Sequence, residues 1–166
     1  VGRIMGLQYP AGKDIQDMAA KGKENIDLPI AHTDNDFDFS FSGLKSAVLN
    51  YVHHHQQVDQ EYDRNDLAAS FQKAVVKAIY DKTKLAIEEF SPKQLLLGGG
   101  VAANIALRRS MEKLAKEYGL DLTEAPIELS GDNAAMIGAA AYLNFQDGIF
   151  SDLSLNAEPS LNFPVM

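Results

Sequence analysis

Apolar positions along the chain recur with two different periods. Phe37, Phe39 and Phe41 alternate with Asp38, Ser40 and Ser42, which is the pattern of a half-buried strand. At Leu44 the period changes. Leu44, Ala47, Val48, Tyr51 and Val52 share one helical face. A longer helix is predicted from about Leu67 to Phe90, its apolar face carrying Leu67, Phe71, Ala74, Val75, Ala78, Ile79, Leu85 and Ala86. Asn65 is its expected N-cap and Ser91-Pro92 its stop. Gln94-Leu95-Leu96-Leu97 is a short apolar run of the kind that sits inside a parallel sheet, and Gly98-Gly99-Gly100 comes directly after it. The next helix presents Leu107, Met111, Leu114, Ala115 and Tyr118, with Gly119 as its cap. Leu120 to Ala125 is a second strand, and an Ala- and Gly-rich helix runs from about Asn133 to Phe145.

The flanks are less regular. Val1 to Leu7 reads as the end of a helix, Tyr9-Pro10-Ala11-Gly12 as a turn, and Ile15, Met18 and Ala19 as a short amphipathic helix stopped by Gly22. Residues 23–36, 56–63 and 149–166 read as loop or coil. Strands alternating with long helices predict an α/β architecture, richer in helix than in strand.

Composition narrows the function classes. Of 166 residues, 46% are apolar and 23% charged, so a packed core is expected rather than disorder. The 15 basic and 23 acidic residues give 15 − 23 = −8, a poor balance for a stand-alone nucleic-acid binder. With no cysteine, disulfides, thiolate metal sites and a Cys nucleophile are excluded. Apolar runs are too short for a transmembrane helix and no secretory signal is visible, so a cytoplasmic protein is expected. The chain opens at Val1 without an initiator Met, which reads as a partial chain.

Three segments carry candidate chemistry. The strand, glycine and helix succession of Leu95 to Arg109 is either a cradle for a phosphate or nucleotide, or simply a tight turn. Asn104, one turn into the helix after the glycines, can both donate and accept, as recognition of a ribose or an amide requires. Asp132, at the start of the last helix, is either an N-cap or an oxygen ligand to a cation. Ser42, between a strand and a helix, is read as an N-cap. His53, His54 and His55 lie about 100° apart on a helix and lack the i, i+4 spacing that lets two imidazoles share an ion, so they and His32 are not read as ligands. Lys73, Lys77, Arg108, Arg109, Lys113 and Lys116 read as a wet basic face.

Four motifs in order resemble one family. Gly6-Leu7-Gln8-Tyr9-Pro10-Ala11-Gly12, Phe37 to Val48, Leu96 to Asn104, and Asp132 to Ile137 are similar to signature segments of the TsaD family, tRNA adenosine threonylcarbamoyltransferases once called O-sialoglycoprotein endopeptidases. The resemblance covers only the C-terminal half of such a protein. It implies an actin/Hsp70-like (ASKHA) fold of two lobes, each on a ribonuclease-H-like core. Residues 1–148 would then be the helix-rich second lobe, with the final helix, 132–146, packing toward the missing first lobe, and 149–166 a C-terminal coil. The implied reaction moves a threonylcarbamoyl group from threonylcarbamoyl-adenylate to the exocyclic amine of the adenosine next to the anticodon of tRNA. By matched motif Gly12 and Asn104 contact the adenylate, Gly99 and Gly100 line it, and Asp132 ligates a divalent metal, Fe2+ or Zn2+. The implied partners are tRNA and, in bacteria, a TsaB-like paralogue and a TsaE-like ATPase.

Three departures limit what this chain does alone. The family's His-x-x-x-His metal pair has no counterpart in it, a ligand-contacting Asp-Lys is expected just before Val1, and a further ligand-contacting Asp aligns with Gln16. The piece by itself is therefore expected to be inactive. Rival readings are a small-molecule kinase on the same fold, a non-catalytic partner subunit, and the old metalloendopeptidase label.

Overall fold

The computed structural model describes residues 1–31, 33 and 35–160. His32 lies outside the described residues, as do the last six positions of the expected coil. The described chain is a helix-rich α/β structure with one small parallel sheet. Its elements are α1 (Gly12–Ala19), α2 (Ser42–Gln57), α3 (Arg64–Phe90), β1 (Gln94–Leu97), α4 (Ile105–Tyr118), β2 (Asp121–Glu124) and α5 (Ala134–Gln146). Two compact units divide at residue 131: Val1–Gly131 and Asp132–Met166.

In the first unit α3 is the spine. At 27 residues it is roughly 40 Å long, enough to serve two cores. Near its start Leu67, Ala68 and Ala69 are buried with Met5, Ala19, Val48 and Val52 of the neighbouring elements. Near its end Ile87 is buried with Leu107, Met111 and Leu114 of α4, and Leu95 and Leu97 of β1 pack on that cluster. Asp63 caps α3, accepting from the N–H of Asn65 at 2.7 Å, so Asn65, the expected cap, is itself inside the first turn. Ser91 ends the helix in the left-handed region at φ 46°, and Gly119 does the same for α4 at φ 65°. β1 and β2 run parallel in the register Gln94↔Asp121 to Leu97↔Glu124, joined through α4.

Residues 2–6 close as a helix end: Met5 N–H bonds Val1 O at 3.1 Å, and around left-handed Gly6 (φ 74°) Gly6 N–H bonds Arg3 O at 3.1 Å and Leu7 N–H bonds Gly2 O at 2.9 Å. Two expectations are corrected. Phe37 to Ser42 is no strand. Its alternation still sets sides, for the rings of Phe39 and Phe41 stack at 6.2 Å, but a strand needs a hydrogen-bonded neighbour and none pairs with it among the described residues. β1 is not buried on both faces either. Leu95 and Leu97 face α4, whereas Leu96 is 69% exposed.

The loop after α1 is tied down by Asp66 of α3, whose carboxylate accepts from Lys23 N–H and Asn25 Nδ2, each at 2.7 Å. The Lys23 bond, then that of Asn25, holds this carboxyl below its ordinary value of 3.8. A depressed carboxyl adds stability that is present above its unfolded pKa and lost as pH falls through the lower folded value. Asp66→Asn is therefore expected to lower the melting temperature at pH 7 and to flatten its decline below about pH 4. Parallel melting curves for parent and variant across that range would refute the assignment.

The second unit holds α5 and a coil that is exposed as far as residue 160. Asn133 caps α5 through Oδ1, which accepts from Met136 N–H at 3.0 Å. From Ala134 to Phe145 only Asn144 and the hydroxyl of Tyr142 are polar, yet every residue of the helix is exposed. A helix apolar all round is built for burial.

Candidate functional site

β1 ends in the glycines, and α4 does not start directly behind them. Gly100–Ala103 is one turn of 3-10 helix, closed by Ala102 N–H on Gly99 O at 2.9 Å. Only then does α4 begin, with Asn104 as its N-cap rather than a residue one turn inside it. Gly99 needs its residue type, since φ 88° disfavours a side chain. Gly98 and Gly100 need theirs for neither backbone nor packing, because a Cβ at each would meet nothing within 4 Å. The bend thus presents bare backbone to open space, which is the local form of a surface that a ligand approaches closely.

The first turn of α4 is already served by side chains. Asn104 Oδ1 accepts from Leu107 N–H at 2.9 Å, and Gln16 Oε1 accepts from Ile105 N–H at 2.8 Å. Asn104 Nδ2 donates to Gln72 Oε1 at 2.8 Å. The expected anion seat at this helix end is therefore occupied by neutral amides. One N–H and one lone pair of Asn104 remain after those bonds. The network brings α1, α3 and α4 together around Asn104. Gln16 enters by this route, in the place where the resemblance puts a carboxylate. Gln72 carries no signal in the sequence at all.

Arg108 does not belong to the wet basic face on which its spacing puts it. Its side chain is 11% exposed, and its fork reaches Ala102 O, Ala125 O and Ser130 Oγ. By contrast, Lys73 and Lys77 make exposed ion pairs with Glu24 and Asp81.

Gly12 is the first residue of α1 and is exposed, after a cis Tyr9–Pro10 peptide. Ser42 does not cap α2. It is the first helical residue, behind Phe41, and no side chain caps that end. His53 and His54 are exposed; His55 is half-buried, its Nδ1–H donating to Tyr51 O at 2.9 Å and its ring lying 4.3 Å from that of Tyr51. Asp132 is exposed at the head of the second unit, and the capping role belongs to its neighbour Asn133. The described residues contain no group of three His, Asp or Glu side chains placed to hold a metal ion, so Asp132 is at most one ligand of such a site.

Residues 1–139 match the family model described as "TsaD: tRNA N6-adenosine threonylcarbamoyltransferase". The chain is 70% identical over 166 residues to a protein of that name from Oenococcus oeni, covering 100% of this chain and 49% of that protein. It is 50% identical to the one from Ligilactobacillus salivarius, over 100% of this chain and 49% of the relative, and 52% identical to the one from Lactobacillus johnsonii, over 99% and 49%. The chain spans about half the length of the curated relatives it matches.

Proposed function

Since this chain belongs to the TsaD family of tRNA N6-adenosine threonylcarbamoyltransferases, we propose that it serves as one half of an enzyme transferring a threonylcarbamoyl group from threonylcarbamoyl-adenylate to the exocyclic amine of the adenosine next to the tRNA anticodon. The observation that carries this reading is the family match, which runs through the glycine bend and Asp132 alike. In the reaction the amine nitrogen attacks the carbamoyl carbon. A C–N bond forms, the C–O bond to the phosphate breaks, AMP leaves and the amine loses a proton.

The bare backbone of Gly99 and Gly100 lines the adenylate in this reading, and Gly12 contacts it. The remaining N–H and lone pair of Asn104 bond to it while Gln72 and Gln16 hold the surrounding turn. Binding energy spent there orients the acyl carbon for attack. Asp132 would help to hold a divalent cation, Fe2+ or Zn2+, together with ligands from the rest of the full-length protein, and that ion would supply charge stabilisation.

An actin/Hsp70-like, two-lobed architecture suits the open surfaces. Leu96 stands exposed on a sheet of two strands, and the apolar α5 is exposed along its length among the described residues. Residues 1–148 would be most of one lobe, completed by the rest of a longer chain. The net charge of −8 leaves tRNA to be held largely by other surfaces of a complex with a TsaB-like paralogue and a TsaE-like ATPase. No helix among the described residues is long and apolar enough to cross a membrane.

The test is reconstitution. The full-length protein with its partner subunits, given threonylcarbamoyl-adenylate and unmodified tRNA, is expected to yield the modified adenosine, and residues 1–166 alone to yield none. Turnover of ATP with a small acceptor and no dependence on tRNA would place the protein among the kinases instead.

A further inference from the structure

We propose that Arg108 is a positioning residue that sets the shape of the glycine bend from its buried side; the inference rests on the transferase reading. The bend has no support from its outer side, where a Cβ at Gly98, Gly99 or Gly100 would meet nothing within 4 Å. Its support comes from behind. Ala102, in the 3-10 turn that continues the bend, is buried at 1% exposure, and its carbonyl accepts from Arg108 Nε at 2.6 Å.

The same guanidinium ties two further segments to that turn. One terminal nitrogen donates to Ala125 O at 2.5 Å, just past the end of β2, and to Ser130 Oγ at 3.0 Å. Ser130 is buried at 3% exposure, and its hydroxyl donates in turn to Pro126 O at 3.0 Å. The other terminal nitrogen lies 3.5 Å from Glu124 Oε2, which balances the charge. Glu124 Oε1 is buried without a partner among the described residues, so the carboxylate depends on this one cation.

Geometry explains the residue type. A planar guanidinium addresses three acceptors in fixed directions at once, whereas an ammonium is a single mobile point charge. With lysine the charge beside Glu124 survives, but Ala102 O and Ala125 O lose their common anchor. The bend then samples several shapes, and a ligand that binds its backbone closely must select one of them.

Arg108→Lys in the full-length enzyme tests this. The KM for threonylcarbamoyl-adenylate is expected to rise roughly tenfold while the KM for tRNA stays within about twofold, since a misplaced binding surface penalises the ligand that touches it. A merely structural role lowers the active fraction, and so the apparent kcat, and leaves both KM values alone. That outcome, or an equal rise in both, overturns the proposal. Should Arg108→Lys fail to fold, Ser130→Ala removes one acceptor of the fork and is expected to raise the adenylate KM by a smaller factor, about threefold, in the same selective way. An unchanged adenylate KM there overturns it equally. A wild-type enzyme active on adenylate beside an unaffected variant refutes the role of Arg108 alone; a wild-type enzyme inactive on adenylate brings down the transferase reading and this inference with it.

Discussion

Gly22→Ala is expected to cost at least about 3 kcal/mol of stability, the upper end of what an overpacked site normally loses. A Cβ on Gly22 would lie 2.0 Å from Asn65 O, 2.2 Å from Asn65 C and 2.6 Å from Asp66 N. All three are backbone atoms of the first turn of α3, and no side chain can swing aside to make room. That turn is itself fixed by the Asp63 cap and by the Asp66 bonds to Lys23 N–H and Asn25. Relief therefore requires the loop after α1 to leave α3, which opens the core where Ala19 meets Leu67, Ala68 and Ala69. For a chain of this size the melting temperature should fall by roughly 10 °C. Gly98→Ala is the control: its Cβ would enter open space, and a fall of about 1 °C or less is expected. Thermal unfolding followed by circular dichroism separates the two, and equal melting temperatures would sink the argument.

Gly22 also shows where sequence reading stops. A glycine just past an amphipathic run reads as a helix stop, and α1 does end nearby, at Ala19. The reason for the glycine is tertiary, however: another helix's backbone passes within contact distance. Periodicity finds α2, α3 and α4, because each carries an apolar stripe whose spacing the chain must encode, whereas β1 shows as a short apolar run and α5 as an Ala- and Gly-rich apolar stretch. It misses the partner problem at Phe37 to Ser42, since alternation says which side a residue takes and nothing about a neighbouring strand. Caps shift by one or two residues, from Asn65 to Asp63 and from Asp132 to Asn133, because neighbouring polar residues compete and backbone angles decide. The glycine bend is legible because three glycines after an apolar run have few other uses. Gln72 is not, for it reaches a residue 32 positions away and carries no periodic mark; Gln16, marked only by the resemblance, gives no sign of its bond to Ile105, 89 positions away. Arg108 escapes a sequence reading since a helical arginine is usually wet.

Asp132 and Asn133 should separate function from folding within two adjacent positions. Asn133 Oδ1 accepts from Met136 N–H at 3.0 Å, so Asn133→Ala is expected to cost about 1 kcal/mol and to fray the start of α5. The carboxylate of Asp132 is exposed, and the cap is already supplied, so Asp132→Ala is expected to change stability by no more than about 0.5 kcal/mol. Its effect on the full-length enzyme should be the reverse. Removing one of few ligands to a divalent ion typically lowers affinity far beyond the roughly 10- to 100-fold seen for outer-shell changes, so metal retention and tRNA modification are both expected to vanish. Asp132→Asn, which keeps an oxygen but drops the charge, should fall between. Metal analysis by mass spectrometry beside thermal unfolding of the three variants decides it. If Asp132→Ala keeps its metal and instead loses as much stability as Asn133→Ala, Asp132 is a structural residue at the start of α5 and the ion is held elsewhere.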